Sequence, residues 1–113
     1  AGNAYYIFGG TSAGSPQWAG IIADANQLAG HPLGYLNFAL YELGNSRSAA
    51  NSFHDITVGN NAFNLTGVPG YSATPGWDLA SGWGSPQTKT LVKNLIQSCN
   101  QDDGASQLSS QQW

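Results

Sequence analysis

A serine on a glycine-rich turn is the residue of this chain best placed for chemistry. Ser12 lies in the segment GGTSAGSP, residues 9–16, which runs directly into a predicted helix. The first N–H groups of a helix have no partner within it and favour negative charge. A hydroxyl nucleophile with backbone N–H groups aimed at the same point is half of an acyl-transfer site. No base that could activate the serine stands nearby in the sequence.

Hydrophobic periodicity predicts the elements on either side of Ser12. Apolar residues recur with the 3.6-residue period of a helix over residues 14–29, and they are Trp18, Ile21, Ile22, Ala25 and Leu28. Ser15 suits the N-cap and Pro16 the first helical position, although the helix could begin closer to Ser12. Aromatic and β-branched residues at 4–8 predict a short buried strand. The alternative to a catalytic strand–turn–helix is a plain glycine–serine loop that caps a helix.

No other residue is placed by its spacing to act as the base for Ser12. Asp24 would lie about 18 Å further along the helix, which is outside hydrogen-bond reach. Glu42 has no motif around it. His31 lies in a Gly-His-Pro turn and is predicted to face solvent, and His54 is predicted to be structural. A serine–histidine–aspartate triad is recognised by geometry, and spacing gives it no support here.

Two aspartates stand in a long loop region over residues 53–86. The region is rich in Gly, Asn, Thr and Pro and is predicted to form ordered loops with short extended pieces. A loop region of this length needs something to hold it. Calcium prefers carboxylate, carbonyl and water oxygens, and Asp55 and Asp78 would balance its charge. The alternative is that both aspartates only cap turns.

Two further helices are predicted around this loop region. The first covers residues 36–43, with one apolar side made of Leu36, Leu40 and Leu43, and a polar loop follows at 44–52. The second covers residues 88–96, with an apolar face made of Leu91, Val92, Leu95 and Ile96. Beyond Gln97 nearly every residue is Ser, Gln, Asp or Asn, which predicts a flexible tail or linker.

Composition argues against several classes of partner. Charged residues make up only 8% of the 113, and the basic ones are Arg47, Lys89 and Lys93. Nucleic acids and anionic membrane surfaces need clustered Lys and Arg, and no run of 18 apolar residues could span a bilayer. Few charges limit self-repulsion when carboxylates are protonated, which fits an acidic medium. The single Cys99 cannot form an internal disulfide, and residues 64–66 form a glycosylation sequon.

Several separate motifs resemble those of the sedolisins, the serine-carboxyl peptidases of the subtilisin-like clan. Gly-Thr-Ser-Ala around Ser12, with a proline four residues after the serine, is similar to the nucleophile motif of that clan. The downstream segments that resemble the sedolisin branch are GYLN at 34–37, FHDITVGNN at 53–61, PGWD at 75–78 and GWGSP at 82–86. The resemblance runs from about Phe8 to Ile96, in family order.

The resemblance implies a role for each residue that matches a family motif. Ser12 would be the nucleophile, with its backbone N–H in the oxyanion hole, and the substrate would be bound by Gly9, Gly10 and Thr11. One structural Ca²⁺ would be held by the carboxylates of Asp55 and Asp78 and the carbonyls of Ile56, Thr74 and Gly76. Thr74 stands where the family often has glycine, so it fits as a ligand only if its backbone angle suits a β-branched residue.

The resemblance also implies an α/β fold of the subtilisin-like type, a parallel sheet flanked by helices, with only its C-terminal portion present. Residues 1–97 would be the C-terminal part of the peptidase domain and residues 98–113 a polar flexible tail or linker. The implied enzyme hydrolyses peptides or proteins at acidic pH through a Ser12 acyl-enzyme, and it would be secreted or lie in a lysosome-like acidic compartment.

The partners that would complete the site lie outside this sequence. Sedolisins use a glutamate base, an aspartate that orients it and an aspartate at the oxyanion, all upstream of the serine and absent from this chain. The N-terminal remainder of the domain is therefore an expected partner, and the chain alone is expected to be inactive. The alternative is a non-catalytic, calcium-stabilised structural or interaction module.

Overall fold

Four helices and one small sheet form the described part of the computed structural model, which covers residues 2–6, 9–63 and 67–110, with side chains described up to residue 100. A 3-10 turn at Thr11–Ala13 comes first. The elements that follow are α1 (Gly14–Ala29), α2 (Asn37–Asn45), α3 (Ala49–Ser52), β1 (Phe53–His54), β2 (Ser85–Pro86) and α4 (Thr88–Ser110). None of these helices is long and apolar enough to cross a membrane.

Helix α1 covers the predicted residues 14–29, and it begins at the alternative start closer to Ser12 and not after a Ser15 N-cap. Its N-cap is Ala13, so Ser15 and Pro16 lie inside the first turn and are not the N-cap and first helical residue. Proline is tolerated there because the first N–H groups of a helix have no intrahelical acceptor. The helix ends as predicted at Gly30, which has a φ of 77° and donates its N–H to the carbonyls of Asn26 and Gln27.

One part of the predicted apolar face of α1 is wrong. Ala25 is buried, and Trp18 and Ile22 pack against the core. Leu28, however, is 71% exposed. The core-facing part of α1 is therefore shorter than the periodicity indicates.

The core forms where α4 packs against the earlier helices and β1. Leu91 and Leu95 of α4 have no exposed surface, and they share one cluster with Leu36, Ala39, Leu43 and Phe53. The predicted apolar faces of α2 and of the first half of α4 are thereby confirmed. Fully burying side chains of this size contributes about 1.5–3 kcal/mol each, so this cluster is the main source of stability among the described residues.

Helix α4 is longer than the sequence predicts. Its backbone is helical to Ser110, although a tail was expected after Gln97. No proline follows Gln87, and an established helix propagates by adding one hydrogen bond for each residue that it fixes. The predicted polar loop at 44–52 likewise contains the short helix α3. The division into residues 1–97 and 98–113 stays a prediction.

The buried strand predicted at residues 4–8 is not present in its described part. Residues 2–6 have no regular structure, and Tyr5 and Tyr6 are 91% and 77% exposed. Ile7 and Phe8 lie outside the described residues. A strand needs a neighbouring strand to accept and donate its hydrogen bonds, and the two strands of the described sheet pair with each other.

The sheet that is present is antiparallel and closes the long loop region. Phe53 and His54 of β1 pair with Pro86 and Ser85 of β2, so the two ends of residues 53–86 meet. Isolated bridges between them join Asn60 to Ser72 and Asp78 to Gly82. The predicted ordered loops with short extended pieces are confirmed. Helices with a small sheet are compatible with an α/β class, and the parallel sheet of a subtilisin-like fold stays a prediction.

Gly44 of α2 is predicted to tolerate no side chain. A Cβ added there would clash with the indole ring of Trp83, with Cε2 and Cδ2 nearest and Cζ2 at 2.8 Å. We expect Gly44→Ala to lower the free energy of unfolding by about 1–3 kcal/mol, the usual cost of overpacking. Gly20→Ala in α1 is the control, because a Cβ there meets nothing within 4 Å and should stabilise by about 0.5–1 kcal/mol. Urea titration measures both, and equal midpoints would contradict the steric explanation.

Candidate functional site

Ser12 lies exposed in the 3-10 turn that leads into α1. The turn is closed by the N–H of Ala13, which donates to the carbonyl of Gly10 at 3.1 Å. Within the part of the chain that the structure describes, neither the N–H nor the hydroxyl of Ser12 has a hydrogen-bond partner. An unpaired N–H beside an accessible hydroxyl is the arrangement that a nucleophile with its own oxyanion donor requires.

Gly10 owes its place in this turn to its backbone angles. Its φ of 139° and ψ of 146° lie in a region that residues with a Cβ rarely adopt. A Cβ at Gly9 or at Gly10 would meet nothing within 4 Å. The surface in front of the turn is therefore open, and an extended peptide could approach the backbone at residues 9–11.

Gly10→Ala is expected to open the serine turn. Holding a residue in such a region costs about 1–3 kcal/mol, so the hydrogen bond from Ala13 to residue 10 should weaken by that amount. Amide hydrogen exchange at Ala13 would then accelerate by about 5- to 150-fold. Gly14→Ala is the matched control, because Gly14 has ordinary helical angles. Unchanged exchange at Ala13 would show that the turn does not depend on Gly10.

No base stands beside Ser12 among the described residues. Asp24 is exposed on α1, and Glu42 accepts a long bond of 3.4 Å from the hydroxyl of Ser98. His31 is exposed, as predicted, and its Nδ1 lies 3.0 Å from the carbonyl of Pro32. His54 is exposed on β1. The hydroxyl of Ser12 thus has no hydrogen-bonded proton acceptor among the described residues, and its role as a nucleophile stays a prediction.

Asp55 and Asp78 are brought to the same turn from two sides. Oδ2 of Asp55 accepts the N–H of Gly76 at 2.8 Å, and Oδ2 of Asp78 accepts the N–H of Thr74 at 2.9 Å. The three segments that carry the five predicted calcium ligands are therefore neighbours. The turn-capping alternative is realised at Asp78, whose Oδ1 accepts the N–H groups two and three residues further on. Asp55 instead accepts an N–H from a residue 21 positions away.

Asp78 is held by more hydrogen bonds than any other carboxylate among the described residues. It is only 5% exposed, and its Oδ1 accepts the N–H groups of Ala80 and Ser81 at 2.9 and 2.7 Å. The hydroxyl of Ser81 lies 3.1 and 3.2 Å from its two oxygens. The backbone N–H of Thr74, followed by that of Ser81, lowers the pKa of Asp78, because these bonds favour the charged carboxylate.

The predicted ligand atoms around this turn are oxygens, the kind of atom that calcium prefers. Among the described residues, the carbonyls of Ile56, Thr74 and Gly76 accept no hydrogen bond, so all three are available. Thr74 has no positive φ, so its β-branched side chain is not an obstacle. No group of three His, Cys, Asp or Glu side chains lies together in the described ranges, so a hard cation here would depend on carbonyl oxygens.

The two carboxylates are not equally ready to bind a cation. Asp55 accepts a single bond on Oδ2, which leaves Oδ1 available. Asp78 has both oxygens engaged, and the Ser81 hydroxyl is the partner that can rotate away without moving the backbone. A cation on Asp78 would therefore replace the Ser81 hydroxyl.

The sequence analysis missed residues that pack against the turn formed by Asp55 and residues 74–78. Gly84 has a φ of 90°, and a Cβ on it would lie 2.9 Å from the carbonyl carbon of His54. Trp83 stacks on Phe53 with ring centroids 6.4 Å apart, and it lines a cavity of about 220 Å³ that also meets Asp55. The Gly-Trp-Gly sequence at 82–84 could have indicated a packed turn, but it does not show which distant residues it packs on.

Most of the chain is similar to known peptidases. Kumamolisin from Bacillus sp. (strain MN-32) is 44% identical over 96 residues, covering 84% of this chain and 16% of that relative. Tripeptidyl-peptidase 1 is 37% identical in Macaca fascicularis, covering 77% of the chain and 16% of the relative, and 36% identical in Dictyostelium discoideum, covering 79% and 15%. The chain thus spans about a sixth of the length of these relatives. No family model matches it.

Proposed function

Because the chain belongs to the sedolisin family, the family of kumamolisin and tripeptidyl-peptidase 1, we propose that it is the C-terminal part of an acid-acting serine peptidase. Ser12 is its nucleophile. The single observation that carries the proposal is the exposed serine turn, where a hydroxyl and an unpaired N–H of the same residue stand at the start of a helix.

The proposed reaction begins when Ser12 Oγ attacks the carbonyl carbon of a peptide bond. A carboxylate from another part of the protein takes the hydroxyl proton and returns it to the leaving amine, so that an acyl-enzyme forms and water then hydrolyses it. The N–H of Ser12 donates to the oxyanion. An unperturbed glutamate has a pKa of about 4.3, so a carboxylate base works best in acid. This fits a secreted protein or one in an acidic, lysosome-like compartment.

The substrate side of the proposal depends on the open surface at residues 9–11. Gly9 and Gly10 leave room for a peptide backbone, and exposed Thr11 adjoins the nucleophile.

The structural calcium ion would be held by Asp55, Asp78 and the carbonyls of Ile56, Thr74 and Gly76. When bound, it would supply positive charge that cross-links three loop segments, and it would not polarise the substrate.

The proposed nucleophile is tested by trapping the acyl-enzyme in the full-length protein. Incubation with a peptide ester at acidic pH, followed by rapid quenching in strong acid, should leave the acyl group on the proteolytic fragment that contains Ser12. Tandem mass spectrometry locates the added mass. An acyl group on another residue, or hydrolysis without any trapped acyl group, contradicts the proposal.

The proposed partner of this chain is the N-terminal remainder of the peptidase domain. Large apolar side chains that a finished domain would cover are exposed, among them Leu28, Tyr35, Phe38 and Val58. Exposed patches of this kind mark surfaces that meet other protein. Mass spectrometry of the native material under non-denaturing and then denaturing conditions should show a larger chain that separates only on denaturation, or one longer continuous chain.

A second candidate function is a non-catalytic, calcium-stabilised module. The observation that favours it is that Ser12 has no base among the described residues, whereas the turn at Asp55 and Asp78 is already formed. The two candidates differ in the upstream sequence, where a peptidase needs a Glu-x-x-x-Asp pair on one helix. A 113-residue chain that is alone in both mass spectra would favour the module.

A further inference from the structure

Gln87 immediately precedes α4 and donates three hydrogen bonds to one short segment. Its backbone N–H donates to the carbonyl of Ser52 at 2.9 Å. Its side-chain Nε2 donates to the carbonyls of Ala50 and Phe53 at 2.8 and 3.1 Å. Three carbonyls within residues 50–53 are thus held by one residue more than thirty positions away in sequence.

The helix behind Gln87 is firmly placed. Its carbonyl accepts the N–H groups of Thr90 and Leu91 at 3.1 and 2.9 Å, which starts α4. Asn94, two turns further on, donates from Nδ2 to the hydroxyl of fully buried Ser52 at 2.9 Å. Leu91 and Leu95 of the same helix are in the core. The segment at 50–53 is therefore held against the helix that carries the buried Leu91 and Leu95.

Asp55 lies two residues beyond this segment, and the strand before Gln87 approaches it. β2 pairs with His54, and Gly84 comes so near to His54 and Asp55 that a Cβ would lie 3.1 Å from the Asp55 Cα. The same stretch, residues 84–87, thus contacts the backbone from Ala50 to Asp55. The backbone that carries the Asp55 carboxylate is therefore positioned by its contacts with residues 84–87.

We infer that Gln87 is a positioning residue for Asp55: its side-chain amide fixes the backbone on which this proposed calcium ligand stands. The inference rests on the calcium site of the proposed function. Binding groups must be held within about 0.5 Å of their productive geometry by their supporting residues. Replacing such a supporting partner of a metal site typically weakens metal affinity by about 10–100-fold.

Gln87→Glu tests the inference in the full-length protein at neutral pH. Glutamate keeps the shape of the side chain but donates no hydrogen bond when ionised, so both carbonyl contacts are lost. Calcium titration by calorimetry should show affinity about 10–100-fold weaker than in the wild type. Gln27→Glu is the matched control, because Gln27 is exposed on α1 and the charge change is the same. Equal calcium affinity in folded Gln87→Glu and wild type overturns the inference.

A double-mutant cycle separates positioning from a general role in folding. Thermal unfolding is measured for the wild type, Gln87→Glu, Asp55→Asn and the double variant, each with calcium and with chelator. The calcium-dependent rise in the unfolding temperature should shrink in Gln87→Glu, and the substitution should remove no further calcium effect once Asp55 is asparagine. A fall in stability that is equal with and without calcium indicates a purely structural role and overturns the inference.

Two outcomes distinguish the inference from the function on which it rests. If wild-type protein neither binds calcium nor gains stability from it, the proposed calcium site has failed and the inference fails with it. If the wild type binds calcium and Gln87→Glu does not fold, Gln87→Met replaces it, because methionine keeps the length and carries no charge. If neither variant folds even with saturating calcium, Gln87 maintains the core, and the inference is overturned.

Discussion

Ser12→Ala in the full-length protein is expected to reduce hydrolysis of peptides at acidic pH by about a thousandfold or more. Alanine cannot form the acyl-enzyme, and the remaining catalysis would come from the oxyanion donor and substrate binding alone. The turn itself should survive, because its closing hydrogen bond runs between backbone atoms of Ala13 and Gly10. The loss should therefore appear in kcat, measured with a quenched fluorescent peptide at about pH 4, with unfolding temperature unchanged.

Ser15→Ala is the matched control for this experiment. Ser15 is exposed three residues further on, in the first turn of α1, so the same atom is removed from another exposed serine. Its activity should equal that of the wild type. Undiminished activity in Ser12→Ala would remove the basis for the proposed peptidase mechanism, and equal losses in both variants would point to a disturbed helix start.

The serine turn was predictable because its determinants are local. The glycine run, the proline and the helical period after Ser12 lie within about twenty residues, and α1 formed where they indicated. The same local reasoning failed at Tyr5 and Tyr6, because a strand depends on a neighbour elsewhere in the chain. It also ended α4 too early, because polar composition says little about a helix that is already nucleated by packing of Leu91 and Leu95.

The support for the aspartate turn could not be predicted from the sequence, because it joins distant residues. The contact of Gly44 with Trp83 and those of Gln87 with residues 50–53 each join residues more than thirty positions apart. Neither glycine nor glutamine carries a pattern that names its partner. The aspartates themselves were recognisable, since aspartate is typical of both turn caps and cation sites. The structure shows the turn cap at Asp78, and the cation site stays a prediction.

Asp78→Asn is expected to remove most of the calcium stabilisation and to change how stability depends on pH. Asparagine keeps one acceptor but loses the charge, so calcium affinity should fall at least about tenfold. In the wild type, hydrogen bonds from Thr74 and Ser81 hold the pKa of Asp78 below its usual 3.8. Its contribution to stability is therefore fully present above about pH 3.8 and is lost as the pH falls through the lowered folded-state pKa.

The lowered pKa of Asp78 matters for a protein that works in acid. At the pH where a glutamate base of pKa about 4.3 is half ionised, Asp78 would still be charged and able to hold calcium. Unfolding temperature measured from pH 6 to pH 2, with calcium and with chelator, should fall below about pH 4 in the wild type, and this fall should be smaller in Asp78→Asn. Asp24→Asn is the control, because Asp24 is exposed on α1 and should leave the wild-type curve unchanged. Parallel curves for wild type and Asp78→Asn over the whole range would mean that the hydrogen bonds around Asp78 neither couple to folding nor prepare the turn for a cation.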